Sequence, residues 1–176
     1  MRKLALALLL LCSTAVTAQT VIINGERTTR PLSWDDFTGE PDQSVDLYAY
    51  TYWYLSYKWD PFIFSRDTVK WKVDVTLELE KRSWKKGDKV TPALLEHEQG
   101  HFSIGRLCAI AFQQRVNNTV FFRHNYTSRI AAIFNEELAK FRKLEVQYDK
   151  ETDHFHNREQ QNKWNLYFKK ELDKQR

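Results

Sequence analysis

Between Thr68 and Glu80 apolar and polar residues alternate without a break. Val69, Trp71, Val73, Val75, Leu77 and Leu79 fall on one side, with Lys70, Lys72, Asp74, Thr76, Glu78 and Glu80 on the other. A period of two predicts a strand with one face in the core. Residues 47 to 59 are rich in Tyr, Trp and Thr, which suit a pleated surface, and Asp60-Pro61 closes the run, so a second strand is expected there. A short third strand fits Val21 to Ile23. The first half of the chain therefore predicts a small antiparallel sheet.

The period changes near residue 90. Pro92 is the last proline and Gly105 the last glycine, and beyond them apolar residues recur at helical spacing. Thr91 can cap, and Pro92 suits the first turn of, a helix running to about Val116. A second helix fits Thr127 to about Gln147, with Ile130, Ile133, Phe134, Leu138, Phe141 and Leu144 as its buried stripe. A third fits Asn157 to Leu172, burying Trp164, Tyr167, Phe168 and Leu172. With no repeat or linker, the expectation is one α+β domain over residues 19–176, its sheet packed on a long helix and two further C-terminal helices.

Residues 1–18 stand apart. Arg2 and Lys3 precede an apolar run from Leu4 to Leu11, and Val16-Thr17-Ala18 offers small residues at a cleavage point, the three parts of a secretory signal peptide. The expected location is thus periplasmic or extracellular. The run is far short of the ~20 residues that a membrane-spanning helix requires. Leu11 stands where a small residue would precede a lipid-modified Cys12, so the cut after Ala18 is the better reading. It removes Cys12 and leaves Cys108 alone, which excludes an internal disulfide. Losing Arg2 and Lys3 halves the formal charge of +4, and nothing in the remaining balance points to nucleic acid.

Candidate chemistry lies in the first long helix, in His97-Glu98-Gln99-Gly100-His101. Four residues along a helix place the two histidines about 40° apart on one face and one turn apart, so both imidazoles can reach one ion. Glu98 points about 60° to the side of His101, suited to contact a water on that ion rather than the ion itself. Zinc hydrolysis needs this division: nitrogen ligands leave a position open, the metal lowers the pKa of water to about 7, and a carboxylate takes the proton. By composition alone such a pattern arises by chance in roughly one chain of this length in a few hundred. Here it falls on a predicted helix that is apolar over most of its circumference from Phe102 to Phe112, where imidazoles and carboxylates need partners.

A catalytic zinc usually takes three protein ligands. No histidine between Arg106 and Gln113 extends the motif. Cys108 shares the histidine face but lies about 10 Å further along the axis, which leaves it a core residue. His124 falls in a polar connection. The remaining candidates cluster in residues 148–156, between the second and third helices. If those first two helices run antiparallel, this segment returns beside the histidine turn.

Ser83-Trp84, Leu94-Leu95-Glu96-His97-Glu98-Gln99-Gly100-His101-Phe102, and Tyr148-Asp149 with Thr152 and His154 resemble a bacterial family of exported, zincin-like domains of unknown function, whose members look like zinc-dependent proteases. Leu32-Ser33-Trp34-Asp35-Asp36-Phe37 and Gln161 with Trp164 also match, so the resemblance covers nearly the whole chain after residue 18. It implies His97, His101 and His154 as zinc ligands and Glu98 as general base. The family pattern has a small residue, commonly glycine, after the last histidine; this chain has Phe155, and His156 and Glu151 are alternative ligands there. Tyr148 is a candidate catalytic residue, donating a hydrogen bond to a developing oxyanion, with a buried structural tyrosine as the alternative.

Tyr48, Tyr50, Tyr52, Trp53, Tyr54, Tyr57 and Trp59 could line a sugar- or peptide-binding groove, although strands favour such residues for packing alone. The combined expectation is an exported α+β hydrolase cutting a peptide or related amide bond with Zn2+, acting on peptide or protein substrates of the envelope or exterior. The competing expectation is a non-catalytic envelope binding protein whose zinc is structural, its last coordination position filled by a fourth side chain such as His156.

Overall fold

The computed structural model describes residues 19–60 and 63–174; the predicted signal peptide lies outside them. Chain order runs β1 (Thr20–Ile23), β2 (Glu26–Arg27), β3 (Ala49–Tyr50), β4 (Trp53–Trp59), β5 (Ile63–Ser65), β6 (Thr68–Lys70), β7 (Val73–Leu79), β8 (Trp84–Lys85), α1 (Pro92–Asn117), β9 (Phe121–Phe122), α2 (Tyr126–Thr152) and α3 (Arg158–Asp173). The architecture is mixed α+β, with three helices and three small sheets among the described residues.

The main sheet has the order β2-β1-β7-β4. Its centre corrects the expected all-antiparallel sheet: β1 runs parallel to β7, from Thr20 opposite Thr76 to Ile23 opposite Leu79, while β4 and β2 pair antiparallel. Asn24-Gly25 turns β1 into β2 with φ of 52° and 84°, left-handed values that a two-residue hairpin demands and this dipeptide accepts. Alternation in β7 is as read from the sequence, with Val73, Val75, Leu77 and Leu79 buried and the residues between them half-buried. The single strand expected over residues 68–80 is instead two. β6 joins β5 and β9 in a separate sheet, and the chain changes sheet at Trp71, whose ring meets Trp59, Phe121 and Tyr126 at 5.3, 4.9 and 5.4 Å. The aromatic run over residues 47–59 is likewise two strands, β3 pairing with β8 and β4 with β7.

Helix α1 begins as expected, with the Thr91 hydroxyl accepting from the Leu94 amide at 3.1 Å and Pro92 in the first turn. It packs on β4 and β7 on one side and on α2 and α3 on the other. This double covering is why Phe102, Ile104, Cys108 and Phe112 are all but fully buried. Helix α2 returns antiparallel: Arg115 near the end of α1 pairs with Glu137 early in α2, while Tyr148 late in α2 bonds His97 early in α1. It ends five residues later than the expected Gln147. Tyr148 and Thr152, four apart and both fully buried, carry its packed stripe onward, and Asp153 closes it in the left-handed conformation.

Candidate metal centre

The extra helical turn places Tyr148, Asp149 and Thr152 against the first turns of α1. His97 is buried, and His101 lies one turn on with 13 % of its side chain exposed. The Asp149 Oδ1 atom stands 3.2 Å from His97 Nε2 and 3.0 Å from His101 Nε2. These three donor atoms lie within 4.8 Å of one another, and they form a group able to hold a metal ion. Two donors bound tetrahedrally to one zinc at about 2.0–2.1 Å sit about 3.3 Å apart, so the spacing and the nitrogen and carboxylate chemistry fit zinc.

The outer nitrogens are equally constrained. Gln161, fully buried on α3, donates through Nε2 to the Tyr148 hydroxyl at 2.7 Å and to Asn165 Oδ1 at 2.9 Å. Its Oε1 is left as an acceptor 3.2 Å from His97 Nδ1. A proton on Nδ1 satisfies that contact and turns the Nε2 lone pair toward Asp149 and His101. His101 Nδ1 faces Glu145 Oε1 at 3.6 Å, and Glu145 also accepts from Trp53 Nε1 at 2.7 Å and Arg142 at 3.1 Å. Both imidazoles are thereby fixed from behind, the support that metal-binding histidines require.

The charges respond to this packing. Burial disfavours a cationic His101, but hydrogen bonds with Asp149 and Glu145 outweigh it and raise the imidazole to about 10. Burial would likewise raise the Asp149 carboxyl, and the two imidazoles reverse this, holding it below the usual carboxylate range. The cluster therefore favours positive charge at the point where the three donors meet.

Glu98 is buried beside the histidines, and its Oε2 accepts a 2.6 Å hydrogen bond from the Thr51 hydroxyl, just after β3. A cleft of about 430 Å³ opens here, lined by His97, Glu98, His101, Glu145 and Asp149 and walled by residues 46–51 and 153–156. Gln99 points the other way and accepts from the Leu32 amide at 2.7 Å, anchoring the turn over Trp34–Asp36 to α1. Gly100 has a packing reason: a Cβ there would overlap the Tyr148 hydroxyl and ring.

Not every predicted site residue occupies the place expected of it. Tyr148 is fully buried and outside the cleft lining, its hydroxyl donating to the His97 carbonyl at 3.0 Å while accepting from Gln161. Burial also raises its phenol above the ordinary value. It positions His97 and has no proton left for an oxyanion. His154 lies at the cleft with 53 % of its side chain exposed, Nδ1 at 3.4 Å from Asp149 Oδ1, and is not one of the three converging donors. His156 lines the cleft, while Glu151 is turned to Trp164 Nε1 at 2.8 Å. Cys108 is a buried core thiol and His124 is exposed.

Asp149, Glu145, Thr51 and Gln161 are given no specific role by the sequence, although Asp149 and Gln161 stand among the residues that carry the resemblance and Asp149 lies in the 148–156 candidate segment. One signal pointed to the first two: Glu145 and Asp149 are four apart on α2, as His97 and His101 are on α1, so one face of each helix can present two groups to the other.

Residues 31–157 match a bacterial family described as a protein of unknown function (DUF922). The chain belongs to that family. The DUF922 segment starts just before the Leu32 contact with Gln99 and ends at Asn157, the N-cap of α3, so it contains the three converging donors and the cleft walls. Gln161, which fixes the His97 ring, lies beyond it. No curated protein and no solved structure matches the chain. Among the described residues no helix is long and apolar enough to cross a membrane.

Proposed function

We propose that this chain is a zinc-dependent hydrolase of peptide or related amide bonds, in which His97, His101 and Asp149 hold the ion and Glu98 is the general base. The observation that carries the reading is the convergence of three donor atoms, with the His97 ring held from behind by buried Gln161 and that of His101 facing Glu145, at a cleft that also contains Glu98. Zinc bound there would supply Lewis acidity, bringing water within reach of deprotonation near neutral pH. Glu98 is placed to take that proton, with the Thr51 hydroxyl holding one carboxylate oxygen and so orienting the other. Sequence features of residues 1–18 support action outside the cytoplasm.

A second reading has its own observation. His154 Nδ1 stands 3.4 Å from the shared Asp149 oxygen, near enough to supply a further ligand. With it the site becomes a closed four-ligand zinc, structural rather than catalytic. Zinc analysis with a broad peptide-cleavage screen separates the two. The hydrolase reading expects about one zinc per chain in the wild type and in Glu98→Gln, and cleavage reduced by roughly 10²–10⁴-fold in the variant alone. Full zinc with no cleavage by either protein would favour the structural site.

A further inference from the structure

The turn between α2 and α3 holds three consecutive non-glycine residues in the left-handed region: Asp153 at φ 48°, His154 at 48° and Phe155 at 85°. The first closes the helix, and such a cap tolerates an aspartate. Phe155 is different, because φ near 85° is glycine's territory and a bulky side chain there carries strain that its surroundings must offset. The turn is held from both ends by the Asn157 amide to the Thr152 carbonyl at 2.8 Å, the His156 amide to the Asp153 carbonyl at 3.0 Å, and the Asn157 cap of α3.

This constrained backbone holds the Phe155 ring in the wall of the cleft rather than in the core. Facing it is Tyr48, in the opposite wall, with ring centroids 6.3 Å apart and planes inclined at 52°. Tyr48 is fixed independently, since its carbonyl accepts from the Lys86 amide at 2.7 Å and so extends the β3–β8 pairing. Both residues are only half-buried: the His156 ring lies 4.2 Å from that of Phe155 and Lys89 Nζ 5.9 Å from the Tyr48 ring centre, and both rings line the same cleft as the donor cluster. At this separation the two rings touch and leave no gap between them, so together they make one apolar wall against which a third ring or a branched aliphatic group can pack.

We propose that Tyr48 and Phe155 form a specificity subsite that takes an aromatic or large apolar side chain of the peptide, adjacent to the bond presented to Glu98. The inference rests on the hydrolase reading above and adds the substrate class to it. It also accounts for a strained phenylalanine where glycine would fit without cost.

The test measures binding by calorimetry on zinc-loaded protein with two probes, phenylalanine hydroxamate and acetohydroxamate, which share the metal-binding group and differ in the ring. The wild type should prefer the phenyl compound by about tenfold, the affinity expected from burying one ring. Phe155→Gly and Tyr48→Ala should each erase most of that preference. Thermal melting of Phe155→Gly should stay level or rise, because glycine relieves the left-handed strain. An undiminished preference in Phe155→Gly and Tyr48→Ala overturns the subsite, as does a fall in melting temperature of more than about 5 °C in Phe155→Gly, a loss that marks a packing residue. If neither hydroxamate binds wild-type protein that retains zinc, the failure lies with the open-site reading, and the subsite falls with it.

Discussion

Helices α1 and α2 meet at two ends, and each end buries carboxylates, yet the groups that answer them differ. At the end remote from the cleft, Glu137 pairs with Arg115 at 2.8 Å, and the same guanidinium also holds Glu136. A fixed cation from the chain itself answers the charge there. At the cleft end Glu98, Glu145 and Asp149 gather around His97 and His101, with Arg142 the one lysine or arginine in the cleft wall among the described residues. Imidazoles can serve as neutral ligands, as arginine cannot, so the groups at this end could hold a cation from outside, while those at the other end are matched to an internal one. Burial alone therefore does not mark a functional carboxylate; the identity of its partner does.

The cleft end depends on a close approach that the other end lacks, and the largest expected effect follows from breaking it. Gly100→Ala drives a Cβ into the Tyr148 hydroxyl and ring, behind which stand His97, Trp164 and Phe168. No exposed side chain is available to move aside. The expected cost is about 3 kcal/mol in urea unfolding, at the upper end of ordinary overpacking, with zinc content well below one per chain. A variant of wild-type stability and full zinc would show that Tyr148 does not set the distance between the helices.

These two ends also differ in how far the sequence revealed them. The helix carrying His97, Glu98 and His101 is legible because Thr91, Pro92 and the largely apolar run from Phe102 to Phe112 all point to it. The end of α2 is not, since Gln147 to Asp153 reads as a polar connection and the cap is Asp153 rather than glycine. Placing that segment in a loop left Asp149 as one of several candidates there, because singling it out depends on its facing α1 from a helix. Parallel pairing of β1 with β7 was equally hidden, because alternation fixes which face is buried and says nothing about strand direction. The resemblance named Tyr148 and Gln161 as motif residues, but only the packed structure shows that they orient His97 from behind.

A smaller effect is expected at Glu145, which touches no donor of the group directly except through His101. Glu145→Gln keeps the size and the acceptor for Trp53 Nε1 while removing the charge that faces His101 Nδ1. Losing such an outer partner typically costs 10–100-fold in metal affinity, or about 1.4–2.7 kcal/mol. Competition with a zinc chelator should show a drop in this range. An affinity within a factor of two of the wild type would remove Glu145 from the support of the site.

The smallest effect should come from the same kind of surgery at the remote end. Replacing a buried ion pair by apolar groups of similar volume is often neutral, because it removes the desolvation penalty along with the attraction. Glu137 Oε2 has no hydrogen-bond partner, and Lys140 comes only to 3.8 Å, so the pair is imperfectly satisfied to begin with. The double variant Arg115→Met/Glu137→Leu should unfold within about 1 kcal/mol of the wild type. It should also bind zinc with unchanged affinity, since the ion pair acts on the far end of α1 and the donors on its first turns. A chelator titration that shows weakened zinc in this variant would mean the two ends are mechanically coupled along α1, and the contrast between a structural and a metal-binding carboxylate cluster would no longer hold.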